Sequence, residues 1–411
     1  MSGLAFSAAP APALPLRFLA TAVAWGVLSG LWLAWHGELV LASRWSPHAL
    51  VMVHMLALGL LGNAMLGSLL QFLPVAAGSP LPWPRVYVPM HAAFNLGIGC
   101  LLPAFVPWPA ARLLALAATL LLGACAVLSA AAVMLALRRG SGARVLREGI
   151  GLAMAALPAT VLLGGLLLAA RTGWLHPRAT PWTDLHAMTG LAGWCVGLLA
   201  AVGAVTLPML QGTRTPPPWL LRAWMFLLVA CLAAGLAGAR QWLPASPGLA
   251  LLPVALFATG VLVLQWRSPH VRNRPLRLAW CFAALALLAA AAAALLPFPG
   301  GIGPAPAVGV LVLGIGLPAM LLGMLLQVAS FLAWIELRQR TPRGQRIPGV
   351  GQLVPAAAMY RALGLHLAAS ALLLAAMAWP PLGHAAGLVM AATWTAAACT
   401  LAASWRHARG G

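Results

Sequence analysis

The sequence predicts an all-α integral membrane protein of about twelve transmembrane helices, and three observations carry that reading. Hydrophobic residues make up 63% of the chain and charged residues only 7%, more apolar surface than a water-soluble domain can bury. Apolar runs of about 20 residues, the length that crosses ~30 Å of hydrocarbon, recur from end to end with short polar breaks between them. The basic residues, all arginine, cluster at the ends of those runs. With no hydrophilic domain or long linker, residues 1–411 read as a single polytopic membrane domain.

The first run, 14–35, closes on Trp32 and Trp35 with no small-residue cleavage site, so it is expected to persist as a helix rather than act as a signal peptide. The second, 49–76, contains His54 near its start and Gln71 and Pro74 near its end. Runs three to five cover 86–107, with His91 and Asn95 one turn apart, then 111–137, then 149–170 with Pro158 inside it. The sixth, 184–210, starts at Asp184 and His186 and ends near Pro208. Runs seven to nine cover 218–239, 247–266 and 277–297. The tenth, 305–335, holds Pro318, Met320, Met324 and Gln327; the last two, 358–379 and 383–405, hold His366 and His384.

Arginine sets the expected orientation. Counting runs in order, the termini and the even-numbered connections hold 19 of the 24 basic residues, and the odd-numbered connections hold Arg44, Arg112, Arg171, Arg178 and Arg240. By the positive-inside rule both termini are cytoplasmic, as in a bacterial-type inner membrane. This placement makes the formal charge of +20 a topology signal with membrane lipid as partner, not a nucleic-acid footprint. Cys100, Cys125, Cys195, Cys231, Cys281 and Cys399 all fall inside apolar runs and form no CxxC pair, which makes them small packing residues.

An internal echo adds organisation. "MLGSLLQ" at 65–71 recurs as "LLGMLLQ" at 321–327, setting Gly67 against Gly323 and Gln71 against Gln327. The sixth run carries a weaker version, with His186 and Pro208 bracketing it much as His54 and Pro74 bracket the second. Runs two, six and ten are four apart, the pattern of a triplicated four-helix unit.

Ionisable side chains inside a membrane are costly and mark candidate functional positions. The acids are only Glu38, Glu148, Asp184 and Glu336. On the expected topology His54, His186 and His384 lie toward the outer ends of their helices, and His366 lies near the middle of its own. Neutral imidazole is the common ligand of haem iron and copper and adds no charge to the membrane. His54 and His186 are the leading pair for a cofactor or metal, with His366 and His384 as further candidates.

Gly190, Gly193 and Gly197 continue the His186 face as a stripe without side chains, and Leu58, Leu61 and Gly62 follow His54. Such a shallow surface suits a flat macrocycle; equally, a GxxxG stripe packs two helices with no ligand between them. Asp184 caps a helix start or, alternatively, orients a metal-bound imidazole. His36, His48, His176, His270 and His407 read as solvated loop residues. Gln71, Gln327, Met320 and Met324 read as packing groups.

"HMLALGLLGNAMLGSLLQFLPV" and "LHAMTGLAGWCVGLLAAVGAVTLPMLQGT" resemble the histidine-bearing helices of divergent relatives of haem-copper oxidase subunit I, in particular NnrS-like membrane proteins. The resemblance implies twelve helices in three four-helix arcs with cytoplasmic termini. It implies His54 as a ligand of haem b and His186 near a copper-ligand position. The seventh run lacks the histidine pair that completes the oxidase copper site, and the tenth lacks the haem-binding histidines. The expected function is therefore a haem- or copper-binding membrane protein in nitric oxide response or respiratory electron transfer, partnering respiratory-chain components, without a complete oxygen-reducing centre. A twelve-helix transporter for a small solute or metal ion, with helices broken near Pro158 and Pro318, is the alternative from a different class. A cofactor-free respiratory assembly factor is the third.

Overall fold

The computed structural model describes residues 10–175, 179–242, 247–296, 304–342 and 344–410. His176 lies outside the described residues. Among those described there is no strand, and every long element is helical. Eleven helices are long and apolar enough to cross a membrane, and Leu251–Trp266, at 16 residues, is a shorter apolar one. The protein is thus an all-α, multi-pass integral membrane protein.

In chain order the helices are α1 (Ala13–Leu41), α2 (Pro47–Ala76), α3 (Tyr87–Ala104), α4 (Ala111–Arg139), α5 (Arg144–Arg171) and α6, in three pieces Ala179–Met188, Thr189–Val196 and Gly197–Gln211. Then come α7 (Pro218–Ala239), α8 (Leu251–Trp266), α9 (Arg274–Ala293), α10 (Ala305–Arg340), α11 (Ala356–Ala376) and α12 (Leu382–Arg409). Start signals are chemical. Ser46 Oγ accepts the Ala49 amide at 2.9 Å with Pro47 behind it, and Asn273 Oδ1 accepts the Leu276 amide at 3.0 Å. Gly212 (φ 77°) and Gly410 (φ 92°) end α6 and α12 in the left-handed conformation that glycine adopts without a Cβ penalty.

Several helices outrun their apolar runs. α5, α10 and α12 extend through arginines such as Arg144, Arg340 and Arg409, because backbone hydrogen bonding continues into the polar region where hydropathy has already fallen. His36 and Glu38 belong to α1, and His48 to the first turn of α2, rather than to loops. α6 begins at Ala179, so Asp184 sits in its second turn and is not the capping residue the sequence suggested.

The helices gather into two compact units. One comprises Phe72–Arg272 with Leu287–Pro304, hence α3 to α8 and the end of α9. The other comprises Ala9–Gln71, Asn273–Ala286 and Ala305–Gly411, hence α1, most of α2, the start of α9 and α10 to α12.

The echo in the sequence has a structural counterpart. α2, α6 and α10 each change from α- to π-helical winding, over Met55–Gly62, Thr189–Val196 and Val310–Gly316. The fifth residue of each π segment is glycine: Gly59, Gly193 and Gly314. Later in the same helices the contact with the preceding helix also repeats. A Cβ at Gly67 would meet Phe18 of α1 at 2.5 Å, and one at Gly323 would meet Leu276 of α9 at 2.9 Å. In α6 the matching position is Ala201, and the glycine has moved to the partner: Gly149 of α5 faces Ala201 Cβ at 2.8 Å.

Candidate cofactor site

α1, α2 and α12 bring four imidazoles to the end of their unit remote from the chain termini. His54, partly buried, donates Nδ1–H to the carbonyl of Leu50 one turn back at 2.7 Å. That bond fixes the tautomer and leaves the ring's lone pair on Nε2. The π segment of α2 begins at the next residue, Met55. Within the same unit, α1 breaks at Gly37 (φ 14°, ψ −89°), where His384 of α12 packs its ring against the glycine and donates Nδ1–H to the Ala34 carbonyl at 2.8 Å.

The solvated-loop reading of His36 and His48 gives way to a built cluster. Their rings lie 4.6 Å apart, centroid to centroid, and Trp32 covers His36 at 4.0 Å while its indole N–H donates to the His48 carbonyl at 3.1 Å. Sequence reasoning missed this pair; the available signal was Trp32 and His36 at i, i+4, which share a helix face.

His186 lies in the other unit and is differently employed. Its Nδ1–H donates to the Thr160 carbonyl of α5 at 3.0 Å, and its ring fills the hollow over Gly164, 2.9 Å from where a Cβ would stand. The glycine stripe beside it is filled as well. Cβ atoms at Gly190, Gly193 and Gly197 would meet Thr160 at 2.9 Å, Ala156 at 3.1 Å and Ala153 at 3.4 Å, all on α5. The stripe is a helix–helix seam, the second of the two readings the sequence left open, and α5 side chains occupy the surface that a macrocycle would need. The register also separates His186 from His54. Pro74 and Pro208 each stand twelfth after their π segments, and on that alignment His186 is level with Met52.

His366 is buried in α11. Its Nε2–H donates to the Ile315 carbonyl at 3.0 Å, inside the π segment of α10, and its ring meets Phe282 edge-on at 6.2 Å. This carbonyl lies near the end of the π segment, where the helical ladder changes register. Among the described residues Nδ1 of His366 has no hydrogen-bond partner.

The remaining polar groups sort clearly. Asn95 donates to the His91 carbonyl at 2.8 Å. Gln327 bridges helices by accepting from Asn273 at 2.8 Å, while Gln71 is buried without a partner among the described residues. Thr206, Gln211, Thr213 and Gln265, in one unit, are likewise buried and unpartnered. The apolar context of these four hid them from a search for ionisable groups. All six cysteines are free thiols, and no three His, Cys, Asp or Glu side chains among the described residues come together as a metal-binding group. No protein-family model matches the chain, and no curated protein matches it.

Proposed function

We propose that this chain is a haem-binding membrane protein, related to haem-copper oxidase subunit I and NnrS-like proteins, that holds its cofactor at the imidazole-bearing end of α1, α2 and α12. The observation that carries this reading is the Nδ1–H bond of His54 to the Leu50 carbonyl, which sets Nε2 as the ligating nitrogen in the way metal-bound histidines are set. His384 is anchored on Ala34 of α1 with its ring, Nε2 included, packed against Gly37, so it braces this end of the unit rather than offering a second ligand. His186 and His366 do not fit: one is packed into the α5 seam and the other has Nε2 bonded to Ile315. A haem held there by His54 would supply one-electron chemistry and binding of a small ligand such as nitric oxide. Copper finds its best seat at the touching His36 and His48 rings. On the orientation set by arginine, this end faces the outer side of a bacterial-type inner membrane, where respiratory-chain partners can exchange electrons with it.

Absorption spectra of the oxidised and dithionite-reduced protein, with iron and copper analysis, test the reading. A Soret band that falls about ten-fold or more in His54→Ala is the expected result, the scale on which ligand-shell changes act. His186→Ala is expected to keep its haem while losing about 2–4 kcal/mol of stability, since it vacates the Gly164 hollow and removes the hydrogen bond that joins α6 to the Thr160 carbonyl. A featureless spectrum with neither metal, from cells supplied with haem and copper, refutes the proposal. It would favour the transporter reading, which the unpartnered Thr206, Gln211, Thr213 and Gln265 support and which solute flux would report.

A further inference from the structure

At the opposite end of the same unit, α1, α10 and α12 form an open cavity of about 420 Å³ lined by Ala13, Leu16, Arg17, Ala20, Glu336, Trp405 and Arg409. Its chemistry is divided. Positions 13, 16, 17 and 20 form one face of α1, which presents three apolar side chains and one guanidinium. From α12 come Trp405 and, one turn later, Arg409, whose guanidinium stands 6.0 Å from the indole centroid. Glu336 of α10 is the one acid, and it is already engaged: Arg340 Nε lies 2.7 Å and Arg409 Nε 3.8 Å from the same carboxylate oxygen. With Arg17 and Arg409 on its lining against one carboxylate, which Arg340 already pairs, the cavity carries surplus positive charge.

The geometry points to a seat for the headgroup of an anionic phospholipid, its phosphate between Arg17 and Arg409 and its glycerol and upper acyl carbons along Ala13, Leu16 and Ala20. Three features select this occupant over a free anion. Guanidinium is weakly hydrated and grips phosphate oxygens in pairs, which suits an interface where water is scarce. Indole belongs at headgroup depth, so Trp405 sets the cavity at the level where lipid phosphates lie. The apolar face of α1 would be left without a partner by inorganic phosphate and is covered by a lipid. Basic pockets between helices at the arginine-rich end of a membrane protein are recognised lipid sites.

Native mass spectrometry of the full-length protein in detergent, titrated with phosphatidylglycerol or phosphatidylcholine, tests the assignment. Phosphatidylglycerol is expected to bind more tightly, and Arg17→Gln and Arg409→Gln are each expected to weaken it about five-fold. Arg240→Gln, distant in sequence and outside the cavity, should leave binding unchanged. Glu336→Gln is expected to tighten phosphatidylglycerol binding by removing the opposing charge, a change that mere structural damage would not produce. Equal retention of the two lipids, or anionic retention indifferent to Arg17→Gln and Arg409→Gln, overturns the proposal. So does saturation of the site by millimolar inorganic phosphate that displaces the lipid, since free anion would then be the occupant.

Discussion

His54, His186, His366 and His384 share one chemical habit, a ring N–H given to a backbone carbonyl, and differ in where that carbonyl lies. When the acceptor is on the residue's own helix, as for His54, the bond presents the ring; when it is on a neighbour, as for His186, His366 and His384, the bond joins two helices. The His366 bond is directly testable. His366→Ala should lose about 2–4 kcal/mol, because it leaves a buried hollow and removes the hydrogen bond to the Ile315 carbonyl that ties α11 to α10. His366→Gln, whose amide N–H can take the place of Nε2–H, should recover much of that loss. Thermal unfolding in detergent reads the difference, and equal loss in both variants would show that the hydrogen bond contributes little. The identities of these residues were legible in the sequence, but their acceptors were not, because a carbonyl has no sequence signature.

At the scale of helices, glycine decides which pairs close. α1 and α12 interlock so that a Cβ on Gly387 would strike the Ala34 backbone and one on Gly30 the Ala391 backbone, while Gly26 lies under the Trp394 ring. Backbone cannot yield as a side-chain tip can, so Gly387→Ala should cost about 1–3 kcal/mol or more as overpacking. Gly123→Ala in α4, where nothing stands within 4 Å, should be neutral or gain up to about 1 kcal/mol from helix propensity. Unfolding of the two variants in a common detergent checks both, and similar values would mean that the α1–α12 seam can relax. Hydropathy located α7 at its observed bounds and erred at the arginine-bearing ends of α5, α10 and α12. It could not show the π segments, since winding leaves hydropathy unchanged. Pro318 was a visible clue in α10 alone, as its missing N–H leaves the Gly314 carbonyl without its helical donor.

For the whole molecule, the arginine asymmetry makes a prediction independent of any cofactor. In a background with Cys399→Ser, a membrane-impermeant thiol reagent applied to sealed cells should label Thr172→Cys and spare Gln345→Cys. The reverse pattern would invert the assigned orientation and move the His54 end to the cytoplasm. Contact between distant parts of the chain was the least legible property: that α1 finds α12 depends on small residues at Gly26, Gly30, Gly383 and Gly387, which resemble many other glycines along an apolar sequence. The seam they form has a consequence for biogenesis. Synthesis delivers α1 first and α12 last, so the groove destined for Trp394 and Ala391 enters the membrane roughly ten helices before its occupant exists. Until then lipid tails or an insertion chaperone must fill it, and a chain truncated before α12 would carry an open groove suited to capturing a second nascent copy.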